Sequence, residues 1–94
     1  MATAKYNNNG LKKVYEAVLK LETVDECKKF FRDLCTISEL NGLSERFAVA
    51  KMVDQKIPYR KISKKTGSST ATITRVAHWL HHGKGGYKLI LERI

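Results

Sequence analysis

Apolar side chains recur every three or four positions along most of the sequence, and no stretch alternates in the manner of a β-strand. The spacing predicts a first amphipathic helix over about residues 9–21. Thr23-Val-Asp-Glu26 is a capping-box sequence, so a second helix is expected to open there. A further capping box, Thr36-Ile-Ser-Glu39, predicts a third helix, which either breaks at Asn41-Gly42 or continues to about Gln55. These patterns predict an all-α fold.

The third predicted helix has its clearest apolar stripe at Leu43, Phe47 and Ala50, and further apolar neighbours widen it. A face this broad is typical of a central helix that contacts several others. Near the end of the chain, residues 83–86 are rich in glycine and predict a connector. Residues 87–94 then predict a short, apolar final helix.

The stretch from residue 57 to residue 82 has the pattern of a helix-turn-helix. A proline can open its first helix, Tyr59–Thr66, because the missing N–H falls among donors that lack a helical partner. Gly67 allows the left-handed turn that follows, and either Ser68 or Ser69 can cap the second helix. The apolar positions of that second helix share one face, which is expected to be buried: Ile73, Val76, Ala77 and Leu80.

The chain is expected to form a single helical domain over residues 1–94. Within it, about 9–55 would supply scaffold and dimerisation helices, 57–82 the helix-turn-helix, and 87–94 the final helix. A chain this short buries only about 60–65% of its unfolded surface, so additional burial against a partner is a reasonable expectation. The sequence contains no run of about 20 apolar residues and no apolar signal-peptide core, so a cytoplasmic location is expected, with no membrane partner.

Charge is distributed unevenly along the chain. There are 18 Lys and Arg against 9 Asp and Glu, which gives a formal net charge of +9. Between Lys56 and Leu91 there is no acidic residue at all. An ordinary solvated helical hairpin usually mixes signs, whereas a field of one sign suits a surface that binds a polyanion. A merely solvated basic face remains the alternative.

The helix-turn-helix suggests which side chains would contact duplex DNA. Thr70, Ala71 and Thr74 lie at the start of the second helix, where small polar groups and methyls can meet base edges in a major groove. Basic side chains of the first helix would bind phosphates, and the hydroxyls of Thr66 and its neighbours could do the same. The complete predicted DNA-contacting set is Arg60, Lys61, Lys64, Lys65, Ser68, Ser69, Thr70, Ala71, Thr72, Thr74 and Arg75.

The string Gly67-Ser-Ser-Thr-Ala-Thr-Ile-Thr-Arg75 resembles the recognition-helix signature of the Trp repressor superfamily. The loop Gly83-Lys-Gly-Gly86 and the sequence Tyr87-Lys-Leu-Ile-Leu after it are similar to the branch of that superfamily known as YerC and YecD. The resemblance covers roughly residues 34–91. It implies a Trp-repressor-like multi-helix fold, an intertwined homodimer joined by the N-terminal helices, and a role as a DNA-binding repressor.

The resemblance also implies a pocket for free tryptophan as co-repressor, to which Thr36, Arg46 and Arg75 correspond. Two positions depart from the pattern: Val76 stands where the family has a glycine, and Trp79 where it has a serine. We therefore expect the pocket to be filled or abolished, with the indole of Trp79 as one candidate filler, and expect no cofactor. The alternative for Trp79 is plain packing against the third helix.

No catalytic set is recognisable, and an enzyme is not expected. Cys27 and Cys35 would lie about 12 Å apart along one helix, which exceeds disulfide reach, and no CxxC pair suggests zinc. The sequence favours a sequence-specific DNA-binding transcriptional regulator, and repression over activation because the chain is too short for a separate activating surface. Two alternatives stay open: a non-specific nucleic-acid-binding module, and a basic protein-interaction module.

Overall fold

The computed structural model describes residues 6–94 and contains six α-helices and no strand within that range. The all-α prediction is therefore confirmed. The helices are α1 (Asn8–Val18), α2 (Val24–Leu34), α3 (Ile37–Asp54), α4 (Tyr59–Thr66), α5 (Thr70–His82) and α6 (Gly86–Arg93). The chain divides after Thr36 into two compact units, so the N-terminal unit contains α1 and α2, and the C-terminal unit contains α3 to α6.

Both helices of the N-terminal unit begin at side-chain caps. The Asn7 carboxamide oxygen accepts from the Gly10 amide at 2.9 Å, and the Thr23 hydroxyl accepts from the Glu26 amide at 3.1 Å. The predicted capping box at Thr23 is thus confirmed. Helix α1 stops at Val18, three residues before the predicted end, because the following amides turn back in a tighter pattern that closes the helix.

The N-terminal unit has strongly amphipathic helices but no buried side chain in either of them. Its apolar stripe is only half-buried in the single chain, as are its two free cysteines. Several large apolar side chains are exposed, among them Tyr15, Leu19 and Val24. Helices with so apolar a face normally bury it, so this unit presents a surface that one copy of the chain leaves uncovered.

Helix α3 runs without a break through Asn41 and Gly42. It ends in a pair of backbone hydrogen bonds, from the Ile57 amide to the Met52 carbonyl (3.0 Å) and from the Lys56 amide to the Val53 carbonyl (2.9 Å). This is the Schellman pattern, which requires a left-handed residue, and Lys56 takes that conformation with φ 62°. Glycine is the usual residue there, which explains why the sequence carried no obvious stop signal.

Among the described residues the buried core belongs to the C-terminal unit, where α3 packs against α4 and α5, and α5 packs against α6. The predicted buried face of α5 is confirmed in full. The predicted stripe of α3 is wrong at Leu43 and Phe47, which are exposed, whereas Val49, Ala50 and Val53 are buried. The reason is that only the second half of α3 contributes to this core. The buried set is Val49, Ala50, Val53, Ile62, Ile73, Val76, Ala77 and Leu80.

Candidate nucleic-acid interface

The two helices of the helix-turn-helix begin and end where local signals predict. Helix α4 ends at Gly67, whose φ of 75° is left-handed and whose amide donates to the Ser63 carbonyl at 2.8 Å. Helix α5 begins after Ser69, whose hydroxyl accepts from the Thr72 amide at 3.1 Å. The predicted helix-turn-helix is thus confirmed, and the cap is Ser69 rather than Ser68.

Ser68 corrects the predicted DNA-contacting set. Its side chain is 2% exposed, and its hydroxyl donates to a carboxylate oxygen of Glu45 on α3. The Ser68 amide donates to the Thr66 hydroxyl at 3.1 Å, and its carbonyl accepts from the Ser63 hydroxyl at 2.7 Å. All the polar atoms of Ser68 are therefore used inside the protein, and this residue is not available to a phosphate. The Thr66 hydroxyl is committed as well, because it also donates to the Ile62 carbonyl at 2.7 Å.

The start of α5 presents the predicted base-reading side chains outward. Thr70, Ala71 and Thr74 are exposed, and Arg75 is exposed beside them. Thr72 is half-buried, and its hydroxyl accepts from the Ser69 hydroxyl at 3.1 Å. The geometry follows from the helical period, since a helix that buries one face must direct the residues between the buried positions toward solvent.

The four cations of α4 form an exposed surface around one buried anchor. Arg60, Lys61, Lys64 and Lys65 all lie in solvent, while Ile62 is the buried residue of this helix. Neither α4 nor α5 contains an acidic residue. The two helices therefore place a field of positive charge beside the exposed start of α5.

A cavity of about 680 Å³ lies behind α5 in the C-terminal unit. It brings together Arg46, Arg75 and Trp79 of the predicted effector pocket, whereas Thr36 is not part of its lining. The lining residues are Gly42, Glu45, Arg46, Thr72, Arg75, Val76, Trp79, Lys84, Gly86 and Tyr87. Trp79 is 52% exposed, so its indole forms part of the wall and does not close the cavity. The expectation of a filled pocket is corrected to this extent: the space is open.

Sequence reasoning missed three of the lining residues that carry chemistry, namely Glu45, Lys84 and Tyr87. Glu45 directly precedes Arg46, which was assigned to the effector pocket from the sequence, but a single carboxylate on a helix does not by itself indicate a site. Lys84 and Tyr87 flank the glycine connector, and only the packing of α6 beside α5 brings them to the cavity. Among residues 6–94, no helix has the length and hydropathy needed to cross a bilayer. The same range contains no cluster of three side chains suited to holding a metal ion.

A sequence model for the family described as Trp repressor protein matches residues 9–94, which is nearly the whole chain. The chain belongs to the Trp repressor family. This family consists of DNA-binding regulators and is not an enzyme family. The resemblance inferred from the Gly67–Arg75 string is thus confirmed.

Relatives of this Trp repressor family member share the sequence over nearly its full length. It is 39% identical to the uncharacterized protein YerC of Bacillus subtilis (strain 168), over all of this chain and 90% of YerC. A crystal structure of a TrpR-like protein from Eubacterium eligens superposes with a TM-score of 0.87 at 44% identity, covering 92% of this chain and 89% of that one. A crystal structure of a protein from Staphylococcus aureus gives 0.86 at 44% identity, covering 93% and 87%. The Trp-repressor-like fold is therefore confirmed.

Proposed function

We propose that this protein is a sequence-specific DNA-binding transcriptional repressor that reads the major groove with the start of α5. The observation that carries the proposal is the exposed trio Thr70, Ala71 and Thr74 on a helix-turn-helix that contains no acidic residue. Threonine hydroxyls can donate to or accept from base edges, and threonine and alanine methyls can contact the thymine methyl. In this proposal the hydroxyl and methyl groups of these three side chains distinguish one base pair from another.

Phosphate binding supplies most of the affinity in this proposal. The cations of α4 displace counterions from the backbone without reading sequence, and they hold α5 in register with the groove. The first amides of α5 have no helical acceptor, so the helix start also favours a phosphate oxygen. The Ser69 hydroxyl caps one of these amides and stays exposed, so it could contact the same phosphate group.

The repressor is proposed to act as a homodimer joined through α1 and α2. These helices contribute no buried side chain within one chain, yet each carries an apolar face, and a second copy offers a matching one. Two recognition helices related by a two-fold axis can read half-sites about 34 Å apart, and two modest contacts then combine into useful specificity. In a bacterial cell such as those of its relatives, this regulator would act in the cytoplasm, where the chromosome lies.

Selection of bound duplexes from a random pool with the purified protein tests the proposed function. We expect enrichment of sites with approximate two-fold symmetry. Thr74→Ala should then weaken binding by about 1–3 kcal/mol for the selected site and relax one position in each half-site. Lys61→Ala, as a control on the phosphate contacts, should weaken all duplexes about equally.

If the pool returns no preferred sequence while binding stays strongly salt-dependent, the non-specific nucleic-acid module replaces this proposal. Its support is the net charge of +9. Weak binding to every duplex would favour the other alternative, a protein-interaction module whose basic face docks an acidic protein partner.

Free L-tryptophan is expected to give no saturable heat in calorimetry at micromolar concentrations. The cavity is open, but Val76 places a branched side chain on its wall and the indole of Trp79 forms another part of that wall. Both side chains are larger than the glycine and the serine that the family pattern has at these positions, so less space is left for the indole of a free tryptophan. Saturable micromolar binding that disappears in Arg46→Ala would contradict this prediction and would identify tryptophan as a ligand of the cavity.

A further inference from the structure

The turn between α4 and α5 is tied to α3 by one side chain. Glu45 lies on α3, 23 positions before Ser68, and accepts the hydrogen bond of the Ser68 hydroxyl. A hydrogen bond to a carboxylate is stronger than one between neutral groups, and this one ends at a buried donor. Ser68 directly precedes the cap of α5, so a movement of α5 against α3 that carries the turn with it must stretch this contact.

The other contacts of the turn do not reach α3. Ser68 is bonded through its amide and carbonyl to Thr66 and Ser63, both on α4. Gly67 bonds back to α4 as well, and Ser69 bonds forward to α5. The turn is thus rigid with respect to α4, and among its polar contacts within residues 6–94 Glu45 alone carries the connection to α3. The apolar core holds the same helices together, but it does so without directional constraints.

The negative charge of Glu45 would also affect DNA binding directly. Glu45 stands close to a surface that otherwise presents positive charge, and a carboxylate there disfavours the approach of DNA phosphates. Removal of this charge alone should therefore strengthen binding to any duplex. A positioning role predicts the opposite result for the preferred site, and this difference in sign makes the two explanations separable.

We propose that Glu45 is a positioning residue, which fixes the angle of α5 against α3 through Ser68 and thereby sets the discrimination of the helix-turn-helix. The protein supplies from its own side chains the constraint that orients the recognition helix, and it needs no ligand in the neighbouring cavity for this purpose. Because Glu45 also lines that cavity, an occupant that attracted its carboxylate would release Ser68 and loosen the turn. This inference rests on the proposed sequence-specific binding.

The test compares the duplex enriched by selection with a scrambled duplex of equal composition. Glu45→Ala should bind the selected duplex about tenfold more weakly than the unmodified protein, while its affinity for the scrambled duplex stays equal or rises. Glu45→Gln should recover most of the discrimination, because the carboxamide oxygen can still accept from Ser68. Asp54→Ala removes a negative charge from the same helix without touching the turn, and it should leave the discrimination unchanged.

Ser68→Ala tests the hydrogen bond between Ser68 and Glu45 from the side of its donor. It should lose discrimination by a similar factor, and Glu45→Ala should have no further effect in its presence, since the two changes remove one interaction. If Glu45→Ala fails to fold, Ser68→Ala and Glu45→Gln decide the question. Undiminished discrimination in Ser68→Ala, or loss of it in Glu45→Gln equal to that in Glu45→Ala, would overturn the proposal.

Amide hydrogen exchange separates this inference from the proposed function, because it requires no DNA. In Glu45→Ala, the amides of Ser68 and Thr72, which donate to the hydroxyls of Thr66 and Ser69, should exchange at least about tenfold faster, while those of the buried face of α5 keep their protection. If no duplex is preferred but these amides respond as expected, the proposed function fails and with it the role of Glu45 in discrimination, while its role in holding the turn against α3 stands. If the amides do not respond, the positioning role fails whatever the protein binds.

Discussion

Ile62→Ala is expected to lower the free energy of unfolding by about 2–5 kcal/mol. Ile62 is 0% exposed and is the only buried residue of α4, so the change leaves a cavity in the core and removes the anchor of that helix. A domain of this size has a total stability of about 5–15 kcal/mol, and the loss is a large share of it. Urea denaturation followed by circular dichroism measures the effect as a shift in midpoint at constant slope.

Ile94→Ala is the matched control for this prediction. It makes the same chemical change at a side chain that is 69% exposed, and less than about 0.5 kcal/mol is expected. Since α4 carries the proposed phosphate contacts, Ile62→Ala should also weaken DNA binding at temperatures where the protein remains folded. A loss of stability below about 1 kcal/mol would show that the core does not depend on α4.

Replacement of the four cations of α4 by glutamine should weaken DNA binding about a hundredfold to a thousandfold at 0.1 M salt. Each phosphate contact contributes about 0.9 to the slope of log affinity against log salt, so removal of four reduces the slope by up to about 3.6 for each subunit. The exposed positions of these side chains mean that the fold should survive the change. Fluorescence anisotropy with a labelled duplex at several salt concentrations measures both quantities.

The control is a variant with the same loss of charge in the N-terminal unit, at Lys12, Lys13, Lys28 and Lys29, which are also exposed. It separates contact at α4 from the general field of a protein with a net charge of +9. The control should reduce the slope much less than the α4 variant. Equal effects of the two variants would place the DNA-binding surface elsewhere or show that it is diffuse.

The helix-turn-helix was predictable almost residue by residue because its signals are local. A proline before α4, Gly67 at the left-handed turn and a serine cap before α5 each act through the backbone within a few residues. The choice between Ser68 and Ser69 was not local. Either hydroxyl could cap α5, and Ser68 turns inward because α3 offers it a carboxylate at Glu45.

The candidate DNA surface was predictable for the same reason as the helices, and the cavity was not. Thr70, Ala71 and Thr74 are exposed because the helical period that buries Ile73 and Val76 directs them outward. The cavity forms where α3, α5 and the segment around α6 pack together, and no residue spacing along the chain predicts that packing. Trp79 shows the difference, since its wall position depends on neighbours far away in sequence.

Periodicity and short turn motifs in these 94 residues were enough to predict six helices, their approximate ends and an exposed, acid-free face on the helix-turn-helix, because those features depend on neighbours a few positions apart. Three features required the packed chain: which part of α3 is buried, what holds Ser68, and whether space remains behind α5. Each of them depends on side chains from separate helices that meet at one place. The spacing of residues within one helix carries no information about contacts between helices, which only the packing of the whole chain determines.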